Sequence, residues 1–150
     1  MIYEGSLINN DLIATCALIN GGYNGFDDRE KYHKRAIAAF NIKKCRNLDK
    51  KVVANLDYYT KFENSYIYAN KIGESFGWGL WNDPKGYKKG KLKSAEEAKK
   101  GYQRFLEMSK DKEFPFGYTK DKKGNKVSRK RYGYTANSAK FLAKKRIKEL

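Results

Sequence analysis

The stretch "LINGGYNGFDDREKYHKRA", residues 18–36, decides how the N-terminal part of the chain folds. Gly21, Gly22 and Gly25 stand among Asn20, Asn24, Asp27 and Asp28, between two segments that read as helices. Upstream, Leu12, Ile13, Cys16, Ala17 and Ile19 recur at helical spacing, and Asn10 can cap that helix. Asn20-Gly21-Gly22 ends it, because glycine takes the left-handed conformation that closes a helix. Asn24-Gly25 is a further turn signal, and Asp27 with Glu30 three residues later forms a capping-box pattern that opens a second helix. Tyr32, Ala36, Ala39 and Phe40 line one face of that helix. A plain helical hairpin needs one or two turn residues, so a corner this elaborate points to a ligand or to an inherited shape.

Working outward, residues 43–57 are polar and without a clear period. "SYIYANKI" (65–72) alternates and predicts a strand. "FGWGLWND" (76–83) sets Phe76, Trp78 and Leu80 on one side against glycines on the other, and predicts a second. Asn82-Asp83-Pro84-Lys85-Gly86 is a turn, and "KKGKLKS" (88–94) can form a short third strand. Ser94 with Glu97 repeats the capping box, before a helical stripe of Ala95, Ala98, Tyr102, Phe105 and Leu106. "FGYTKDKKGNKVSRKRYGY" (116–134) predicts a hairpin turning at Lys123-Gly124-Asn125. Thr135 then caps a last helix that buries Ala139, Leu142, Ala143, Ile147 and Leu150. The expected class is α+β: a helical pair in residues 1–42, then a small antiparallel sheet with helices in a basic, aromatic-rich region, 43–150.

The 150 residues suit one domain, or one domain with a short appendage, enough to hide roughly two-thirds of the unfolded surface. No basic head followed by an apolar run opens the chain, so no secretory signal is expected. No apolar run approaches the ~20 residues of a membrane span, so a soluble protein is expected. Cys16 and Cys45 allow one disulfide, but reduced core thiols are the expectation, and a lone His33 offers no ligand set. Neither metal nor cofactor is expected.

The net charge of +16 is unevenly placed. Residues 1–42 hold four Lys or Arg against five Asp or Glu, 43–84 hold seven against five, and 85–150 hold 22 against seven. Such a field attracts polyanions: nucleic acid, anionic wall polymers or anionic lipid. Lys122, Lys123, Lys126, Arg129, Lys130 and Arg131 in the hairpin are the candidate contacts. A merely solubilising surface is the alternative.

Ile19, Asn20, Gly21, Gly22, Asn24, Gly25, Asp28 and Arg29, with an aromatic at Tyr32, resemble in order and spacing the closing segment of the lysozyme-like domain of glycoside hydrolase family 19. That family contains chitinases and phage endolysins. The resemblance covers only about residues 1–42. It implies that Asn20, Asn24 and Arg29 wall a sugar cleft, Asn20 bonding a sugar amide or hydroxyl and Arg29 holding an ionic network. The turn itself could equally account for these residues. The family's two catalytic glutamates lie upstream of this segment, and hydrolysis needs such a carboxyl pair. Here only Glu4 and a few residues precede the motif.

Replacement carboxyls are Glu63 and Glu74, set among aromatics that can raise a carboxyl's pKa, or else solvated edge residues. Tyr58, Tyr59, Phe62, Tyr66, Tyr68, Phe76, Trp78, Trp81 and Tyr87 fall within thirty residues. Most suit a core, and Trp78 and Trp81 are the candidates for stacking on sugar rings. The leading expectation is a phage endolysin-like module that binds or hydrolyses cell-wall glycan. It would be made in the host cytoplasm and act at the wall, with a separate chain supplying the missing catalytic half. The rival is a nucleic-acid-binding or host-protein-interacting phage protein that reuses a lysozyme-like fragment, and a purely structural phage contact is a third.

Overall fold

The computed structural model describes residues 11–42 and 61–150. The Asn10 cap, the segment 43–57, Cys45, Tyr58 and Tyr59 lie outside the described residues. Six α-helices and one two-stranded antiparallel sheet make an α+β fold among the described residues. The chain divides into two compact units: residues 11–42, 61–70 and 89–92 in the first, 71–88 and 93–150 in the second.

In the first unit, α1 (Leu12–Ile19) and α2 (Phe26–Ile42) meet at the expected corner. Asp11 is the N-cap of α1: its Oδ1 accepts from the Ala14 N–H at 2.8 Å, satisfying a donor that the helix leaves open. Its Oδ2 accepts from Tyr66 N–H at 2.6 Å and so ties α1 to the start of α3 (Tyr66–Asn70). Burial holds the Asp11 carboxyl above its ordinary range, against the pull of these donors. Leu12, Ile13, Ala14, Cys16 and Ala17 are buried, whereas Ile19, expected on that face, is exposed.

Gly21 and Gly25 both have φ of +67°, a backbone shape that a side chain strains. Between them Tyr23 is fully buried, its ring edge-on to Phe26 at 6.4 Å. The capping-box expectation for Asp27 is corrected. α2 begins at Phe26, so Asp27 lies inside its first turn, where its Oδ2 accepts from Leu92 N–H at 2.5 Å while Oδ1 lies 3.6 Å from Lys91. Tyr32, Ala36 and Ala39, expected to pack together, are all exposed.

The second unit overturns the predicted sheet. Residues 65–72 fall largely in α3 of the first unit, and 72–82 form α4 (Ile72–Asn82); residues 88–94 hold no strand. The two-residue alternation in "FGWGLW" is incidental, because every residue from Ser75 to Asn82 is buried and period carries no information in an all-round buried helix. The glycines serve close packing instead. A Cβ on Gly101, in α5 (Ala95–Met108), would lie 2.4 Å from Gly79 N, and one on Gly77 would lie 2.5 Å from the Tyr132 ring. Side chains at these positions would push the two backbones, or the helix and the ring, apart.

Ser94 caps α5 and Thr135 caps α6 (Ala136–Glu149), as the sequence predicts. Phe76, Tyr102, Phe105, Phe116 and Tyr134 form the aromatic core, with Phe76 and Phe105 4.9 Å apart and Phe105 stacked on Phe116 at 5.6 Å. Each ring that is fully buried contributes roughly 1.5–3 kcal/mol. Asp83 is buried beneath α6. It takes two hydrogen bonds from Arg146 (2.6 and 2.7 Å), one from the Tyr102 hydroxyl and one from Lys85 N–H (2.9 Å each).

Candidate polyanion interface

The predicted hairpin is present: β1 (Tyr118–Lys120) pairs antiparallel with β2 (Lys126–Ser128), Tyr118 opposite Ser128 and Lys120 opposite Lys126. Its turn is built by Asp121. One carboxylate oxygen accepts from Lys123 N–H and Asn125 N–H at 2.8 Å, and the other from the Asn125 amide at 3.2 Å. Those bonds, led by the ones from Asn125, hold the Asp121 carboxyl below its ordinary range. Gly124, at φ +84°, closes the loop.

All six strand residues except Ser128 are exposed, so the ribbon buries neither face. Lys120 and Lys126 occupy directly opposed positions on one face, and like charges so placed destabilise a strand pair. The Lys126 ammonium lies 4.7 Å from the centre of the Tyr118 ring, a partial compensation.

Lys120, Lys122, Lys123, Lys126, Arg129 and Lys130 are exposed, and no carboxylate pairs with any of them among the described residues. Several cations elsewhere in the unit are held. Arg146 binds Asp83, Arg104 lies 2.7 Å from Glu107, and Lys100 lies 2.8 Å from Glu97. The Lys88 ammonium sits over the rings of Trp81 (4.8 Å) and Tyr87 (5.0 Å).

Arg131, grouped with the hairpin on sequence grounds, departs from that set. It is ion-paired with Glu74 and anchors the turn Arg131–Tyr134, in which Tyr132 takes a φ of +53° and lays its ring on Gly77. Glu74, proposed as a replacement catalytic carboxyl, is therefore part of this anchor. Glu63 is an exposed residue of the 3₁₀ turn Phe62–Asn64 in the other compact unit.

The sugar-stacking expectation for Trp78 and Trp81 is corrected. They are 2 % and 3 % exposed and offer no ring face to a ligand. Trp78 Nε1–H donates to Glu97 at 3.0 Å, and Trp81 packs edge-on against Tyr132 at 5.1 Å. At the N-terminal corner Asn20 and Asn24 are exposed, Asn20 ending α1 with its N–H on the Cys16 carbonyl. Arg29 donates to the Asn24 carbonyl and lies against the buried Cys16 thiol, so it ties the corner together. Desolvation raises the Cys16 pKa despite that guanidinium.

Sequence reasoning missed Asp83, Arg146 and the exposed Phe141. The turn signal at 82–86 marks Asp83 but not its burial, and the basic C-terminal composition does not single out Arg146. Among the described residues no cluster of His, Cys, Asp and Glu is arranged to hold a metal ion, and no helix is long and apolar enough to cross a membrane. Fold and site define a small α+β protein whose second unit carries an exposed, uncompensated basic ribbon. No protein-family model, curated protein or solved structure matches the chain.

Proposed function

We propose that the chain binds nucleic acid through the phosphate backbone, without reading sequence, by the hairpin of residues 118–130. The observation that carries this reading is the set of six exposed cations left without carboxylate partners on a ribbon that buries neither face. A two-stranded ribbon has the dimensions to enter a major groove or to run along a phosphate backbone. The Lys120–Lys126 opposition, unfavourable in the free protein, becomes favourable when a phosphate lies between the two ammoniums. Six phosphate contacts predict a log–log dependence of affinity on salt with a slope of about −5 on a duplex.

Anisotropy of a labelled duplex across a salt series tests this. Lys126→Ala with Lys130→Ala should flatten the slope by roughly 2, equally for unrelated sequences. Binding absent at low salt, or a slope unmoved by the two substitutions, would count against the reading.

A second reading is favoured by the corner at residues 19–29, whose helix–glycine–helix form accords with the glycoside hydrolase family 19 resemblance. On it the chain is an endolysin-like wall binder, presenting Asn20 and Asn24 to glycan and relying on another chain for the catalytic carboxyls. The same salt series run with cell-wall sacculi separates the two. Retention that survives high salt and falls with Asn24→Ala supports the wall, because sugar hydrogen bonds are not screened as phosphate contacts are.

A further inference from the structure

We infer that the outer face of α6 seats an unpaired nucleobase, with Phe141 as the stacking surface and Lys144 and Lys148 on the flanking phosphates. This rests on the nucleic-acid reading above and assigns it a single-stranded substrate. Phe141 is 73 % exposed, whereas Phe26, Phe62, Phe76 and Phe105 are buried. Lys144 and Lys145 follow one turn on and Lys148 two turns on, so all four side chains share one stripe of the helix. With Glu149 they line an open, shallow depression of about 500 Å³. Glu149 is engaged by Arg146 and lies 3.8 Å from Lys145, which leaves Lys144 and Lys148 as the uncompensated charges.

The chemistry of this face selects its occupant. A bare phenyl ring has no hydrogen-bonding group, so its partner must be apolar or flat, and the surrounding ammoniums require that partner to carry negative charge. An acidic helix would need several apolar anchors along the stripe, and there is one ring. A membrane surface would likewise need a broad apolar face, but the Ala139, Ala143 and Arg146 side of α6 is packed into the unit. A base bearing phosphates meets both requirements with a single ring, since stacking depends on a π-face and not on base identity.

The full-length chain is titrated with a labelled single strand and with an abasic strand of the same phosphate count. Phe141→Ala should weaken the base-bearing strand about 10-fold and leave the abasic strand unchanged. Phe141→Trp should retain binding, with its fluorescence quenched by the base-bearing strand alone. Because Phe141 is largely exposed, circular dichroism of Phe141→Ala should match the parent. Equal affinities for both strands, or a Phe141→Ala loss that is the same for both, overturns this inference and leaves the hairpin reading intact. Failure to bind either strand at low salt overturns this inference, and the hairpin reading falls with it only if the duplex also fails to bind. A loss on phosphatidylserine vesicles but on neither strand also overturns it.

Discussion

Replacing Arg146 by methionine removes the guanidinium that neutralises Asp83 while keeping a side chain of similar reach in α6. In the parent protein the Asp83 carboxylate has four donors within 2.9 Å, two of them from Arg146. The side chains are 3 % and 6 % exposed, so water cannot stand in for the lost charge. The variant leaves a buried anion with the Tyr102 hydroxyl and the Lys85 amide alone. Stripping one partner from a buried ion pair costs about 3–5 kcal/mol, a large share of the roughly 5–15 kcal/mol that holds a domain folded.

The pH dependence has a definite sign. Burial opposes ionisation of Asp83, but the hydrogen bonds it accepts, those from Arg146 foremost, outweigh that, and the native pKa lies below its ordinary value. A depressed carboxyl stabilises the fold fully above the unfolded pKa of about 3.9 and loses that contribution as pH falls through the native value. In Arg146→Met the burial is no longer offset by the guanidinium. The Asp83 pKa should rise, and acid unfolding should begin at higher pH. Urea unfolding followed by the fluorescence of Trp78 and Trp81, both buried in α4 of the same unit, reports the loss directly. The double variant Asp83→Asn/Arg146→Met should be less destabilised than the sum of the singles, by about 0.5–3 kcal/mol. A single-variant loss below about 1 kcal/mol, the usual value of an exposed pair, would refute the reasoning.

Two further outcomes follow from the packing of the second unit. Gly101→Ala should destabilise by about 1–3 kcal/mol although alanine favours helix, because the new methyl would meet Gly79 backbone atoms at 2.4 and 2.8 Å; a neutral result by the same urea assay would mean that the helices move apart freely. Tyr132→Phe should be neutral or mildly stabilising, since the buried hydroxyl makes no well-formed hydrogen bond and burial raises its pKa to about 12 despite the neighbouring Arg131 guanidinium; a loss above about 1 kcal/mol in the same urea assay would contradict that environment.

What the sequence determined by itself was local. The glycines that place the α1–α2 corner, the Ser94 and Thr135 starts of α5 and α6, and the turn at Lys123–Asn125 were legible because each depends on a few neighbouring residues. So was the concentration of charge in residues 85–150, of which Lys120 to Lys130 form the exposed ribbon. Only the tertiary structure decided what "FGWGLW" becomes. A short apolar run carries no period once every face is buried, and its glycines make sense only when Gly101 and the Tyr132 ring are brought against them. Burial likewise took Trp78 and Trp81 out of the candidate site. The ion pairs sorted the cations, joining Arg131 to Glu74 and Arg146 to Asp83 across 57 and 63 residues of sequence. A contact at that separation depends on how distant helices pack, and no local pattern encodes it.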